Sequence, residues 1–119
     1  MTRFALPALL TLLFAGCAAA GYATDNTREA YVDKHDPPAQ TTSAILAGRV
    51  IEGMTAEEVR AALGTPDAVN TTYSQGRSRL QLVYRSSVNR YNEGYVYVTD
   101  GEVTAWQNLH KVPRLGYYQ

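Results

Sequence analysis

The chain has 119 residues, 11 basic and 11 acidic side chains, a formal net charge of zero and 45% hydrophobic residues. That suffices for one small domain with its own core, and no basic block is dense enough to indicate nucleic-acid binding. Cys17 is the sole cysteine, which excludes an internal disulfide.

Arg3 is the one charge before an apolar run from Phe4 to Ala15, which ends at Gly16-Cys17. The run is too short to span a bilayer as a helix and suits the central region of a signal peptide. Leu13-Phe14-Ala15-Gly16-Cys17 resembles the lipobox of bacterial lipoproteins, with Phe14 where Leu is usual. The resemblance implies cleavage before Cys17 and acylation of that residue. Two or three acyl chains, palmitate among them, give lasting anchorage. The competing reading is an ordinary secretory signal cut among residues 18–23, with no lipid. Residues 1–17 are assigned as the signal peptide with its lipobox cysteine.

Residues 18–40 are small, polar and charged, with Asp36-Pro37-Pro38 near the end, and show neither helix nor strand periodicity. They read as a flexible tether spanning roughly 25 Å r.m.s.. His35 lies within it, beside Asp33 and Asp36, where preorganised metal ligation is not expected. Charge is uneven beyond the signal: residues 18–75 carry four basic and eight acidic side chains, and residues 76–119 carry six and three.

The domain is expected over residues 41–110. Thr41-Thr42-Ser43 supplies caps for a short helix from Ala44 to Val50, with Ile45, Leu46 and Val50 on one side. From Gly53 the helix signals are dense. Thr55 stands at an N-cap with Glu58 three residues on, forming a capping box. Met54 is spaced to staple onto Val59, and Glu57 and Glu58 meet the positive end of the helix dipole. Gly64 follows Leu63, and Pro66 forbids continuation. The helix is therefore Ala56 to about Leu63, with Val59, Ala62 and Leu63 buried.

The order Gly53-Met54-Thr55, Glu58-Val59, Leu63-Gly64 and Pro66 resembles the core motif of the SmpA/OmlA, or BamE-like, lipoprotein domain family. The resemblance covers roughly residues 45–109. It implies an outer-membrane lipoprotein that scaffolds or stabilises a membrane complex by protein contacts, as accessory subunits of the β-barrel assembly machinery do. The matched residues are mostly fold residues. In that family an aromatic pair often marks the first long strand; here Leu82-Val83-Tyr84 keeps the tyrosine.

Strand signals follow. Residues 68–73 read as a short irregular strand or extended lead-in. Residues 79–85 alternate, with Leu80, Leu82 and Tyr84 on one face and Gln81, Val83 and Arg85 on the other. Residues 94–99 and 102–109 are joined by Asp100-Gly101, the strongest hairpin signal in the chain. A two-residue turn pairs Thr99 with Glu102, Val98 with Val103, Tyr97 with Thr104, Val96 with Ala105 and Tyr95 with Trp106. One face then carries Val96, Val98, Val103 and Ala105, and the other Tyr95, Tyr97, Thr104 and Trp106. Residues 111–119 form an irregular tail.

The expected fold is α+β: two short N-terminal helices on one face of a three-stranded antiparallel sheet. Two helices cover one sheet face only. Either the aromatic face is a partner surface, with Tyr84, Tyr95, Tyr97 and Trp106 as candidate contacts, or the aromatics form the core and the valines face water. No catalytic constellation, metal site or cofactor motif is found: Glu57 and Glu58 are explained by capping, the serines lack a nucleophile-elbow context, and no phosphate-cradling glycine loop is present. The leading expectation is a non-enzymatic, lipid-anchored lipoprotein of the bacterial outer membrane, its domain facing the periplasm. Its partner is expected to be a protein, with the β-barrel assembly machinery implied by the resemblance. The alternative is a periplasmic protein-binding or inhibitor module that uses the exposed sheet face.

Overall fold

The computed structural model describes residues 21–117. The signal run, Cys17 and the last two residues lie outside them. The fold is α+β, with three helices and a four-stranded antiparallel sheet. The helices are α1 (Asp25–His35), α2 (Ala39–Ala47) and α3 (Ala56–Leu63). The strands β1 (Ala68–Ser74), β2 (Arg77–Arg85), β3 (Glu93–Thr99) and β4 (Glu102–Gln107) lie in sequence order across the sheet.

The first departure from expectation is α1, which occupies most of the segment read as a tether. Thr24 Oγ1 accepts the Thr27 N–H at 3.2 Å while Thr27 Oγ1 accepts the Thr24 N–H at 2.8 Å, a reciprocal cap at the helix start. Asp36 ends the helix in the left-handed region at φ 45°. No residue of α1 is fully buried, so no apolar stripe announces it in the sequence. Tertiary contacts hold it instead. Arg28 Nε donates to the Ala62 carbonyl at 3.0 Å, and Tyr31 and Val32 pack against the core. An eleven-residue helix is marginal alone in water, so this docking stabilises it.

Helix α2 begins five residues earlier than expected. Pro38 precedes its first turn, and Thr41, Thr42 and Ser43 lie inside it rather than capping it. Ile45 and Val50 are buried, whereas Leu46 points outward. Helix α3 matches its expectation residue for residue. Thr55 Oγ1 accepts the Glu58 N–H at 3.1 Å and Glu58 Oε1 accepts the Thr55 N–H at 3.0 Å. Met54 and Val59 are both fully buried, consistent with the staple. Pro66 is buried in the corner that leads into β1.

Four strands replace the expected three. Strand β1 pairs with β2 along its whole length, from Ala68 opposite Val83 to Ser74 opposite Arg77. It is a sheet edge, almost wholly exposed, so the apolar alternation that marks a covered strand is missing. Between β3 and β4, Asp100 at φ 50° and Gly101 at φ 88° make the tight turn that Asp-Gly favours. Thr99 faces Glu102 and Val98 faces Val103, as expected. The ladder then shifts: Tyr97 faces Ala105, Val96 faces Trp106 and Tyr95 faces Gln107. Thr104 is the extra residue of a β-bulge, and every later side chain of β4 changes face.

Core residues come from α2, α3 and the inner face of the sheet: Ile45, Met54, Val59, Leu82, Tyr84, Val96, Val98 and Val103 are at most 2% exposed. The valine face is therefore the covered one. The core also extends past residue 110. Leu109 and Leu115, in two short 3₁₀ turns, and Val112 between them are buried, and the Tyr117 hydroxyl accepts the Val50 N–H. Residues 111–117 of the segment read as an irregular tail therefore belong to the domain.

Candidate protein interface

Of the four aromatic side chains expected to form a contact surface, two share a face. Tyr95 and Tyr97 stand on the outer, helix-free side of β3, both half-buried, with ring centroids 6.3 Å apart. Tyr84 alternates with them onto the inner face. It is fully buried, and its hydroxyl donates to the Gly64 carbonyl at 2.8 Å. Burial pushes its ionisation well above the ordinary tyrosine range, with Arg60 and Arg114 opposing that shift. Tyr84 is thus a core residue and not a contact residue. Trp106 is removed from the tyrosine face by the bulge. It lies on the helix side at the free edge of β4, in an open groove with Gln40, Val50, Ile51 and Ala105.

A chain of side-chain hydrogen bonds crosses the outer face from one edge of the sheet to the other. Asn70 Nδ2 donates to Gln81 Oε1 at 2.8 Å, Gln81 Nε2 donates to the Tyr97 hydroxyl at 3.3 Å, and that hydroxyl donates to Gln107 Oε1 at 2.9 Å. Asn70, Gln81 and Tyr97 are directly opposite one another on β1, β2 and β3, and Gln107, opposite Tyr95 on β4, reaches Tyr97 diagonally, so the pairing register brings the four together. Arg79 lies with its guanidinium carbon 4.4 Å from the Tyr97 ring centroid, a cation–π distance. The central aromatic ring of this face is thus held from both neighbouring strands.

A second cluster sits one pleat away. Glu93 Oε2 accepts Arg85 Nε at 2.9 Å, and Glu93 Oε1 accepts the Tyr95 hydroxyl at 2.8 Å. Arg85 first, then Tyr95, holds the Glu93 carboxyl below the usual carboxylate range, and the bond to Glu93 raises the Tyr95 hydroxyl. Val83, between Ala68 and Tyr95 in the outer-face register, is buried despite lying on this side.

The sequence reading missed Asn70, Arg79, Gln81 and Gln107 as companions of Tyr97. Alternation within β2 already places Arg79 and Gln81 on one face, so part of the signal was present. Asn70 required β1 to be a true strand, and Gln107 required the bulge.

The motif residues act on structure. Gly53 N–H donates to the Val103 carbonyl at 3.0 Å, and Val103 N–H donates to the Met54 carbonyl at 2.7 Å, so this turn closes the upper half of the β4 edge. Leu63 and Val59 fill the core. Gly64, at φ 95°, carries the carbonyl that accepts from Tyr84. With ψ −176° it lies outside the left-handed helical region, in a conformation essentially open to glycine alone.

Among the described residues, no group of three or more His, Cys, Asp or Glu is placed to hold a metal ion. His35, read as part of the tether, is on the last turn of α1 and stacks on Tyr31 with centroids 4.1 Å apart. No helix among the described residues is long and apolar enough to cross a membrane. The chain matches no protein-family model, no curated protein and no solved structure.

Proposed function

We propose that this chain is a lipid-anchored lipoprotein of the bacterial outer membrane. Its domain acts as a non-enzymatic accessory or scaffold subunit that binds a protein partner through the outer face of the sheet. The observation that carries the reading is the arrangement around Tyr97. An aromatic ring in mid-sheet, fixed by Gln81, Gln107 and Arg79, presents a rigid and partly apolar surface at low entropic cost of ordering. Supporting it from the sequence are the lipobox-like run ending at Cys17 and the motif residues Gly53, Met54, Thr55, Glu58, Val59, Leu63, Gly64 and Pro66, which resemble the SmpA/OmlA (BamE-like) family. On that resemblance the fold is a BamE-like two-layer sandwich elaborated by α1 and β1, and the partner is a membrane assembly such as the β-barrel assembly machinery.

Photo-crosslinking in intact cells tests this, with the crosslinking amino acid at Gln107 and a control on the far side of the domain, at Glu29. The expected product is a discrete adduct from Gln107 with an integral or lipid-anchored outer-membrane protein, lost in Tyr97→Ala. An adduct with a soluble periplasmic enzyme instead selects the alternative, a binding or inhibitor module on the same sheet face. Equal products from Gln107 and Glu29 contradict both.

A further inference from the structure

Three separate pieces of chain converge at the end of the sheet where β2 stops and β3 begins. The first is the entry of the chain. Gly21 is pinned to the corner after α3: its carbonyl accepts the Thr65 N–H at 2.8 Å, and its own N–H donates to Thr65 Oγ1 at 3.0 Å. The second is Tyr22, 69% exposed, whose ring lies 4.9 Å from the Arg114 guanidinium carbon. Arg114 in turn bonds Asp67 at 2.8 Å, and Asp67 receives the Arg85 N–H at 2.7 Å at the end of β2. The third is the loop that follows Arg85, residues 86–92. It exposes Val88 and Tyr91 by 82% and 81%, and the Arg90 guanidinium carbon lies 5.5 Å from the Tyr91 ring centroid.

The other end of the sheet differs in chemistry. It holds the two tight turns at Gln75-Gly76 and Asp100-Gly101, tied together by an Arg77–Asp100 ion pair at 3.0 Å. Tyr73 is exposed there too, so a single tyrosine beside an arginine does not separate the ends; the first end adds a second exposed tyrosine, the aliphatic Val88 and the entry of the chain at Gly21. Tyr and Arg are the side chains whose apolar bodies and polar tips suit a membrane–water boundary.

Chain length then decides the orientation. Four residue steps separate Cys17 from Gly21. At no more than about 3.6 Å each they span at most about 14 Å, whatever their conformation. Resting on the reading of Cys17 as acylated, we propose that the end bearing Tyr22, Val88 and Tyr91 lies against the headgroup layer of the bilayer. Arg90 faces the lipid phosphates, and the strands rise away from the membrane. The outer sheet face with Tyr97 then looks along the membrane plane, toward neighbouring membrane-bound proteins.

The test couples the mature chain, starting at Cys17, through its one thiol to a maleimide lipid in phosphatidylethanolamine–phosphatidylglycerol vesicles with dansyl-labelled headgroups. Energy transfer from a single tryptophan is compared for Tyr91→Trp and Tyr73→Trp, each in a Trp106→Phe background. Both tyrosines are strongly exposed, so neither change disturbs the core, and a thermal melt of each variant verifies the fold. Along β2 their positions are some seven residues apart, about 23 Å. Transfer efficiency from Tyr91→Trp is expected to be at least twice that from Tyr73→Trp. Equal transfer, stronger transfer from Tyr73→Trp, or none from either overturns the orientation. Because the lipid is attached chemically, the result is independent of acylation in the cell, which the mass of the native protein reports separately.

Discussion

Removing the Tyr84 hydroxyl, by Tyr84→Phe, isolates one buried hydrogen bond with little change in volume. The ring is fully buried, and its hydroxyl donates to the Gly64 carbonyl at 2.8 Å, joining the end of β2 to the corner after α3. Phenylalanine keeps the packing but leaves that carbonyl without this donor, in surroundings built from core side chains. The cost of such an orphaned acceptor is about 1–3 kcal/mol. For a domain near one hundred residues, each kcal/mol lowers Tm by about 4–8 °C. A midpoint value of about 2 kcal/mol therefore predicts a fall of roughly 8–16 °C, measured by calorimetry or circular dichroism. Tyr97→Phe is the matched control, since its hydroxyl is bonded on the half-exposed outer face; it should cost under about 0.5 kcal/mol. A Tyr84→Phe protein that melts within about 1 °C of the parent, or below which Tyr97→Phe falls, would refute the assignment of Tyr84 as a buried tie.

Alkaline pH probes the same hydroxyl. Its folded-state ionisation is raised above the unfolded value, mainly by burial, so the folded chain holds the proton more tightly. The stabilisation is complete below about pH 10, the unfolded tyrosine value, and declines as pH rises above it. Urea unfolding across that range should show the decline, and Tyr84→Phe should lessen it, with Tyr117, also raised by burial, contributing to what remains. Gly64→Ala forces a side chain into φ 95° and sets its Cβ 2.7 Å from the Gly21 carbonyl oxygen. The expected loss is about 1–3 kcal/mol, with faster amide exchange at Thr65 as Gly21 is displaced. Arg28→Ala removes the donor to the Ala62 carbonyl, and hydrogen exchange in α1 should accelerate while the β3 amides stay protected. Deleting Thr104 removes the bulge but keeps Tyr97 opposite Ala105 and Val96 opposite Trp106, so nuclear Overhauser contacts of the Trp106 ring with Ile51 should persist, and their replacement by contacts with Tyr95 would contradict the register.

Legibility in the sequence followed the strength of local signals. Helix α3 was readable to the residue because cap, staple, dipole charges and stop signal coincide between Met54 and Pro66. The Asp100-Gly101 turn was equally plain, and so was the assignment of Val96, Val98 and Val103 to one face. Helix α1 was not readable, because its stability comes from Arg28, Tyr31 and Val32 meeting elements that follow it in the chain. Strand β1 was ambiguous because an exposed edge imposes no apolar period on Asn70, Thr71 and Thr72. The bulge at Thr104 leaves no mark in composition, yet it alone moves Trp106 away from Tyr95 and Tyr97. Half of the candidate interface was therefore accessible from alternation, and the other half depended on register.

The domain architecture also changes what an anchor at Cys17 would do. A long tether would let the domain roam, whereas a chain pinned at Gly21 holds it within about 14 Å of the attachment point. Everything in the functional proposal depends on that attachment. The most direct test is the intact mass of the mature protein extracted from membranes, beside a Cys17→Ser version. The account predicts a chain beginning at Cys17 with its acyl groups, absent from the variant. An unlipidated chain beginning among residues 18–24 would contradict it and leave a soluble periplasmic binding module in its place.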